Sequence, residues 1–166
     1  MKTYRDTFGT PVGPFSACVN EEGQLVGTSF GEPAPDKACS VFVGSQESPK
    51  RLAGLRRQIL EYFAGKRRDF EVSLAPAGTA FQQRVWAELL LIPYGQTRSY
   101  GELAKRLGQP GASRAVGSAN GSNPICLIIP CHRVIATGGG LGGFAYGLEM
   151  KRRLLDLERG GEFRLE

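Results

Sequence analysis

The chain has 166 residues, 41% hydrophobic and 22% charged, a balance that excludes a disordered chain and allows one ordinary domain or two very small ones. Its net charge is +5. Residues 1–75 hold ten basic and nine acidic residues and residues 76–166 eleven and seven, so the surplus that could meet an anionic partner lies mostly in the second half. No apolar run approaches the ~20 residues of a membrane span, and MKTYRDTFGT has no apolar stretch ahead of a cleavage site. These features predict a cytoplasmic protein whose Cys18, Cys39, Cys126 and Cys131 stay reduced.

Pro14 to Asn20 reads as a strand, Glu21-Glu22-Gly23 as a turn and Leu25 to Phe30 as a second strand. Gly31 to Pro35 is a loop, and Cys39 is also placed in a loop. Leu52, Leu55, Ile59, Leu60 and Phe63 carry the spacing of an amphipathic helix, closed by Gly65 beside Lys66 and Arg67. Phe70, Val72 and Leu74 alternate with polar residues and predict a strand. Ala75 to Gly78 is a linker. Thr79 to Gln82 then forms a capping box that opens a helix with Phe81, Val85, Trp86, Leu89 and Leu90 on one face. Pro93-Tyr94-Gly95 stops it. Ser99 to Glu102 is a second capping box, and Leu103, Ala104 and Leu107 form the core side of the helix it opens. After Gly108 and Pro110-Gly111, Ser113 to Ala119 is helix-compatible. Asn120 to Pro124 is a turn cluster, and Ile125 to Ile129 is an apolar run too short for a helix. A glycine-rich loop follows from Gly138 to Gly147, and a last helix covers roughly Glu149 to Arg159. The fold class expected is α/β (α+β): residues 1–75 as a small domain with an antiparallel sheet and one helix, and residues 79–166 as a mostly helical domain.

Two features of the second half carry chemistry. Helix, glycine-containing turn and helix across residues 99–119 is the spacing of a helix-turn-helix. Its second helix offers a DNA groove small residues and one arginine, Arg114. The same spacing also serves plain packing. The other feature is Cys131-His132. A thiolate suits a soft carbon electrophile, and His132 is the chain's one histidine and so its one imidazole base. Adjacent side chains diverge, so a bridging water is the expected route between them. Read alone, such a pair is more often a structural cysteine beside a surface histidine. Cys126, inside the apolar run, and Cys18, in a strand, read as core. With one histidine and no CxxC pair, no metal site is expected.

Ile129-Pro130-Cys131-His132-Arg133-Val134-Ile135 resembles the active-site signature of the O6-alkylguanine-DNA alkyltransferases (methylated-DNA–protein-cysteine methyltransferases). Arg114 to Gly117, Asn120 to Pro124, Pro93-Tyr94-Gly95 with Ser99-Tyr100, and Gly147 with Lys151 follow the family's order and spacing across residues 79–159. The N-terminal part resembles the family's variable domain in length and pattern. The resemblance implies that O6-alkylguanine, with O4-alkylthymine a second expected substrate, is flipped from duplex DNA and that Cys131 takes its alkyl group irreversibly, once per molecule, without cofactor or metal. It implies that Asn123 braces the active-site turn, that His132 deprotonates Cys131 through a water, and that Glu158 orients His132. Tyr100 supports proton transfer to the leaving guanine. Arg114 fills the gap in the stack, and Ala115, Gly117, Ser118 and Ala119 line the minor groove. The carbonyls of Cys131 and Val134 and the amide of Ala145 read the guanine edge. Ala145 stands where some relatives carry serine or glycine, and Ala136 where glycine is frequent, so pocket width is open. The N-terminal zinc site of some relatives lacks its histidines here. The expected partner is double-stranded DNA; a monomer is expected, with cooperative assembly on DNA left open. Lys151-Arg152-Arg153 and Lys66-Arg67-Arg68 read as solvated faces, and Arg133 as a structural ion pair. Two rivals differ in class. A damage-binding module without chemistry has the cysteine replaced, commonly by tryptophan. A cysteine hydrolase would need an oxyanion hole, for which no separate signal is present.

Overall fold

The computed structural model describes residues 2–33 and 37–161, with side chains described throughout except at 37–39. Ala34 and Pro35 of the expected loop lie outside the described residues. Among the described residues the chain divides into two compact units: one holds residues up to Ala77 together with Pro124–Cys126, the other Gly78–Asn123 and residues 127–161.

The first unit is built on a sheet ordered β3-β2-β1-β4, with β1 Thr3–Thr10, β2 Gly13–Asn20, β3 Leu25–Phe30 and β4 Gln46–Glu47. β1 and β2 form an antiparallel hairpin, β2 and β3 pair antiparallel, and β4 adds in parallel to β1. β1 is a finding beyond the sequence reading. Its pattern does not alternate simply because both faces are partly covered: Asp6 and Phe8 are buried on one face and Thr3 on the other, where its hydroxyl donates to the Val41 carbonyl. Helix α1, Pro49–Phe63, buries Leu52, Leu55, Ile59, Tyr62 and Phe63 and packs on β1 and β2. Cys39 lies in a 3-10 turn, Lys37–Phe42, rather than in a loop. The strand expected over Phe70 to Leu74 reduces to one parallel bridge, Leu25 to Leu74. The Gln58 side-chain amide accepts from the Glu71 N–H and donates to the Glu71 carbonyl, so that backbone has a partner without a neighbouring strand. Pro124–Cys126 join this unit because the Thr28 N–H donates to the Pro124 carbonyl at 2.9 Å and the Thr28 hydroxyl to the Cys126 carbonyl at 2.9 Å.

The second unit is helical: α2 Ala80–Leu90, α3 Tyr100–Arg106, α4 Ser113–Gly121 and α5 Leu148–Glu158. Both capping boxes form. Thr79 and Ser99 each accept from the backbone N–H three residues on, and Gln82 and Glu102 reach back to the cap residues' own N–H groups. The expected face of α2 holds at Val85, Trp86 and Leu89, whereas Phe81 is half-buried and Leu90 is exposed. Residues 125–129 are buried irregular chain, in which Leu127 takes a left-handed backbone conformation, φ 74°. A two-residue parallel pair, β5 Arg98–Ser99 with β6 Val134–Ile135, ties the start of α3 to the chain leaving Cys131. That pair brings Tyr100 to the signature.

Candidate active site

Cys131, His132 and Arg133 occupy one 3-10 turn, and all three are buried. A proline precedes the turn and β6 follows it, so both ends are fixed. The Asn123 side chain donates to the Ile129 carbonyl at 2.8 Å, bracing the approach to the turn. The Asn120 amide donates to the Cys131 carbonyl at 3.4 Å.

His132 is fully buried, contrary to the surface reading, and its Nε2 stands 2.7 Å from Glu158 Oε2. Arg133 donates from Nε to Glu158 Oε1 at 2.7 Å, from Nη2 to Oε2 at 3.1 Å and from Nη1 to the Ile92 carbonyl at 2.8 Å. One carboxylate therefore gathers two consecutive residues of the turn. Burial pushes the Glu158 carboxyl up, but the hydrogen bonds and charges of His132 and Arg133 outweigh it and hold the group ionised, well below the usual carboxylate range. An ionised carboxylate only accepts, so His132 Nε2 carries the hydrogen. Burial pushes the imidazole below its ordinary value against the pull of Glu158. His132 is thus neutral near pH 7, and Nδ1 bears the free lone pair. Nδ1 is buried and meets no hydrogen-bond partner among the described residues.

Burial raises the Cys131 thiol, opposed by the Asn123 side chain, the Lys151 charge and the amides of residues 131 and 132. The resting group is a thiol that needs a base, with a setting that favours the thiolate once formed. Lys151 corrects the reading of residues 151–153 as a solvated face. It is fully buried, and its Nζ donates to the Val134 carbonyl at 2.6 Å and to the Gly143 carbonyl at 3.1 Å, pinning the glycine-rich loop to β6. Arg152, one residue on, is exposed. Tyr100 packs against this loop. A Cβ at Gly142, where φ is +72°, would stand 3.2 Å from the Tyr100 hydroxyl. Burial and then the negative charge of a Cys131 thiolate raise the Tyr100 phenol, so it stays protonated at neutral pH. Gly95 of the Pro-Tyr-Gly stop has φ +81°, and a Cβ there would meet the Glu158 carbonyl oxygen at 2.9 Å. That glycine lets the α2–α3 connection pass against the end of α5.

On α4, Arg114, Ala115 and Ser118 are exposed and Gly117 is half-buried. Ala119 is a correction: expected on the groove-facing side, it is 3% exposed, and its carbonyl accepts the Trp86 indole N–H at 2.8 Å, so it belongs to the α2–α4 packing. Ala145 is exposed in the loop before α5, and Val134 is buried with its carbonyl held by Lys151. The structure brings Cys131, His132, Glu158, Asn123, Tyr100 and Val134 together, and adds Asn120, Lys151 and Arg133. Asn120 stood in the turn cluster and Lys151 in a basic run, patterns that hide burial; the family-like spacing of Gly147 and Lys151 was the one signal for the lysine.

Two family models match, both described for 6-O-methylguanine DNA methyltransferase: the ribonuclease-like domain over residues 3–76 and the DNA binding domain over residues 80–160. The chain belongs to the 6-O-methylguanine DNA methyltransferase family. A methylated-DNA–protein-cysteine methyltransferase of Methanosarcina acetivorans is 47% identical over 156 residues, 93% of this chain and 97% of that one. One of Mycobacterium bovis is 56% identical over 111 residues, 67% of each. A solved structure of Mycobacterium tuberculosis OGT in complex with DNA is 42% identical with a TM-score of 0.87, covering 96% of this chain and 95% of that one. These likenesses make the chain an enzyme of the methylated-DNA–protein-cysteine methyltransferase class, acting in DNA repair by alkyl transfer.

Proposed function

We propose that the protein flips O6-alkylguanine out of duplex DNA and transfers the alkyl group to Cys131 irreversibly, one event per molecule. The observation that carries this reading is the buried turn Cys131-His132-Arg133 gathered by Glu158, which holds an imidazole base with a free nitrogen at the residue next to the thiol. The Cys131 proton passes to His132 Nδ1 through a water, and Glu158 stabilises the imidazolium that forms. The thiolate attacks the alkyl carbon; the S–C bond forms as the C–O6 bond breaks, and the electron pair departs with guanine. Tyr100 donates its hydroxyl proton to the leaving base, and the proton held by His132 restores the phenol. The net change is thiol to thioether and alkylguanine to guanine, with no cofactor. Asn123 braces the turn. The carbonyls of Cys131 and Val134 and the amide of Ala145 read the guanine edge. Arg114 enters the stack where the nucleotide leaves, and Ala115, Gly117 and Ser118 let α4 approach the minor groove closely. O4-alkylthymine presents an equivalent alkyl carbon and is a second substrate.

The test is to incubate the protein with a duplex containing O6-methylguanine and weigh it intact. A single gain of one methyl group, located on Cys131 and absent from Cys131→Ser, is expected. Binding without mass gain would mark a damage-binding module instead, and repeated turnover without mass gain a hydrolase.

A further inference from the structure

Charge in the first unit is not spread evenly. Residues 49–68 hold seven basic residues and one acidic residue, and the rest of residues 1–75 hold three and eight. That stretch is α1 and the turn that closes it. The one acid, Glu61, is held by Arg67 at 3.0 Å. Two of the cations are absorbed by the fold: half-buried Arg56 stands 3.6 Å from the buried Asp6 carboxylate, and Arg51 lies over the Tyr4 ring at 3.9 Å. Lys50 and Arg57 are not absorbed. Both are exposed, and among the described residues neither meets an ion-pair or hydrogen-bond partner. Seven residues apart, they share the outer side of the helix, ~10 Å apart along its axis. Ala53 and Gly54 lie between them on that side and are exposed as well.

The stability of the helix does not account for this side. Lys50 and Arg51 stand in the first turn, where backbone N–H groups already make the helix end positive; no acid is there, and no cation stands in the last turn. Gly54 is a poor helix former in mid-helix, and no packing asks for it, since a Cβ there would meet nothing within 4 Å. The two cations and the bare strip between them serve a polyanion that comes close to the backbone. A protein partner would call for an aromatic anchor, and the aromatic residues of α1, Tyr62 and Phe63, are buried. We propose that the outer side of α1 docks on the phosphate backbone of duplex DNA, with Lys50 and Arg57 each pairing with a phosphate and Ala53 and Gly54 letting the helix lie close. The proposal takes duplex DNA as partner from the reading above and is independent of the transfer to Cys131. Phosphates carry no base sequence, so the contact adds affinity and salt dependence without specificity. It gives the first unit a part in holding DNA.

The experiment measures binding of the full chain to a fluorescein-labelled undamaged duplex by anisotropy over a series of salt concentrations, with melting temperatures on every protein. The double variant Lys50→Gln, Arg57→Gln is expected to lower the slope of log affinity against log salt by about two and to weaken binding about tenfold at low salt. Gly54→Gln leaves every charge in place and puts a good helix former at an open position, so its melting temperature should hold or rise while binding weakens about threefold. Gly54→Gln also carries the test should the double variant not fold. Native binding by both variants overturns the proposal and leaves α1 a solvated face or the seat of another partner. Weakening by the double variant alone overturns it too, because a long-range charge effect needs no contact at Gly54. Should the native protein not bind duplex DNA at all, the DNA reading itself fails. Should it bind while the α1 variants match it, only the role of α1 fails.

Discussion

Replacing Glu158 with glutamine keeps the shape of the side chain and removes its charge. The carboxylate accepts hydrogen bonds from His132 Nε2 and from Arg133 Nε and Nη2. Glutamine has one acceptor oxygen and one donor nitrogen. If the oxygen stays with His132 and Nη2, the amide nitrogen faces Arg133 Nε, donor against donor. Arg133 keeps its bond to the Ile92 carbonyl but loses its counter-charge in a buried site. Breaking a buried pair from one side costs about 3–5 kcal/mol, and the surviving carbonyl bond puts this case near the lower end. For a chain of this length, ~3 kcal/mol lowers the melting temperature by roughly 6–12 °C. The chemical effect is separate. The imidazolium that forms as Cys131 loses its proton no longer meets a negative charge, and a positioned base contributes about 10²–10⁴-fold. Glu158→Gln should therefore transfer methyl at least ~100-fold more slowly at a temperature where it is still folded. Thermal unfolding by circular dichroism and single-turnover intact-mass kinetics read the two effects. A variant that melts lower but transfers at the native rate would refute the catalytic half, leaving Glu158 as scaffold alone.

Lys151→Met removes the one ammonium whose charge favours the Cys131 thiolate and frees the carbonyls of Val134 and Gly143; transfer should slow about tenfold or more on duplex and free base alike, and rapid-quench rates on both substrates check it. Arg114→Ala should slow duplex repair ~10–100-fold while leaving reaction with free O6-benzylguanine nearly unchanged, because a free base has no stack to leave and loses no compensation of ~1.4–2.8 kcal/mol; equal slowing on both substrates would show that Arg114 supports the pocket. The acid limb of the transfer rate should lie on the acid side of pH 6.5, since burial keeps His132 neutral below its ordinary value. Stability should follow the same sign: below pH 6.5 the unfolded imidazole binds a proton that the folded one refuses, so a pH series of melts falls as pH drops through that region and on through the folded-state value.

What was legible in the sequence tracks how local the physics is. The two capping boxes are complete within four residues each, and both form as read. The apolar spacing of α1 marks its buried face, except that Leu60 is exposed. β1 was not legible because its buried residues fall on both faces, Asp6 and Phe8 on one and Thr3 on the other, and pairing on both edges, not alternation, makes it a strand. Phe70 to Leu74 failed in the opposite way: it alternates, but a glutamine side chain at residue 58 takes the place of a neighbouring strand at Glu71. At the site, Cys131 and His132 announced themselves by type and order, and Glu158, 26 residues beyond His132, came only from the family resemblance. Lys151 and Ala119 went astray for one reason. A lysine in a basic run and an alanine on a helix of small residues look solvent-facing until a partner is known, here the Val134 carbonyl and the Trp86 indole.

The geometry also bears on why one event per molecule follows from the proposed chemistry. A 3-10 turn has about three residues per revolution, so the side chains of residues 131, 132 and 133 leave it in three different directions. Two of them converge on Glu158, and that convergence, not adjacency in the chain, fixes the imidazole while the thiol is left to react. Among the described residues, the side chains gathered about this turn offer an imidazole, a guanidinium, an ammonium, a phenol and two carboxamides. Each can carry a proton or donate a hydrogen bond, but none is a softer nucleophile toward carbon than the thiolate it would have to relieve. The thioether has no proton for His132 to take and no charge for Lys151 to favour. The arrangement that speeds attack by Cys131 therefore supplies nothing that reverses it.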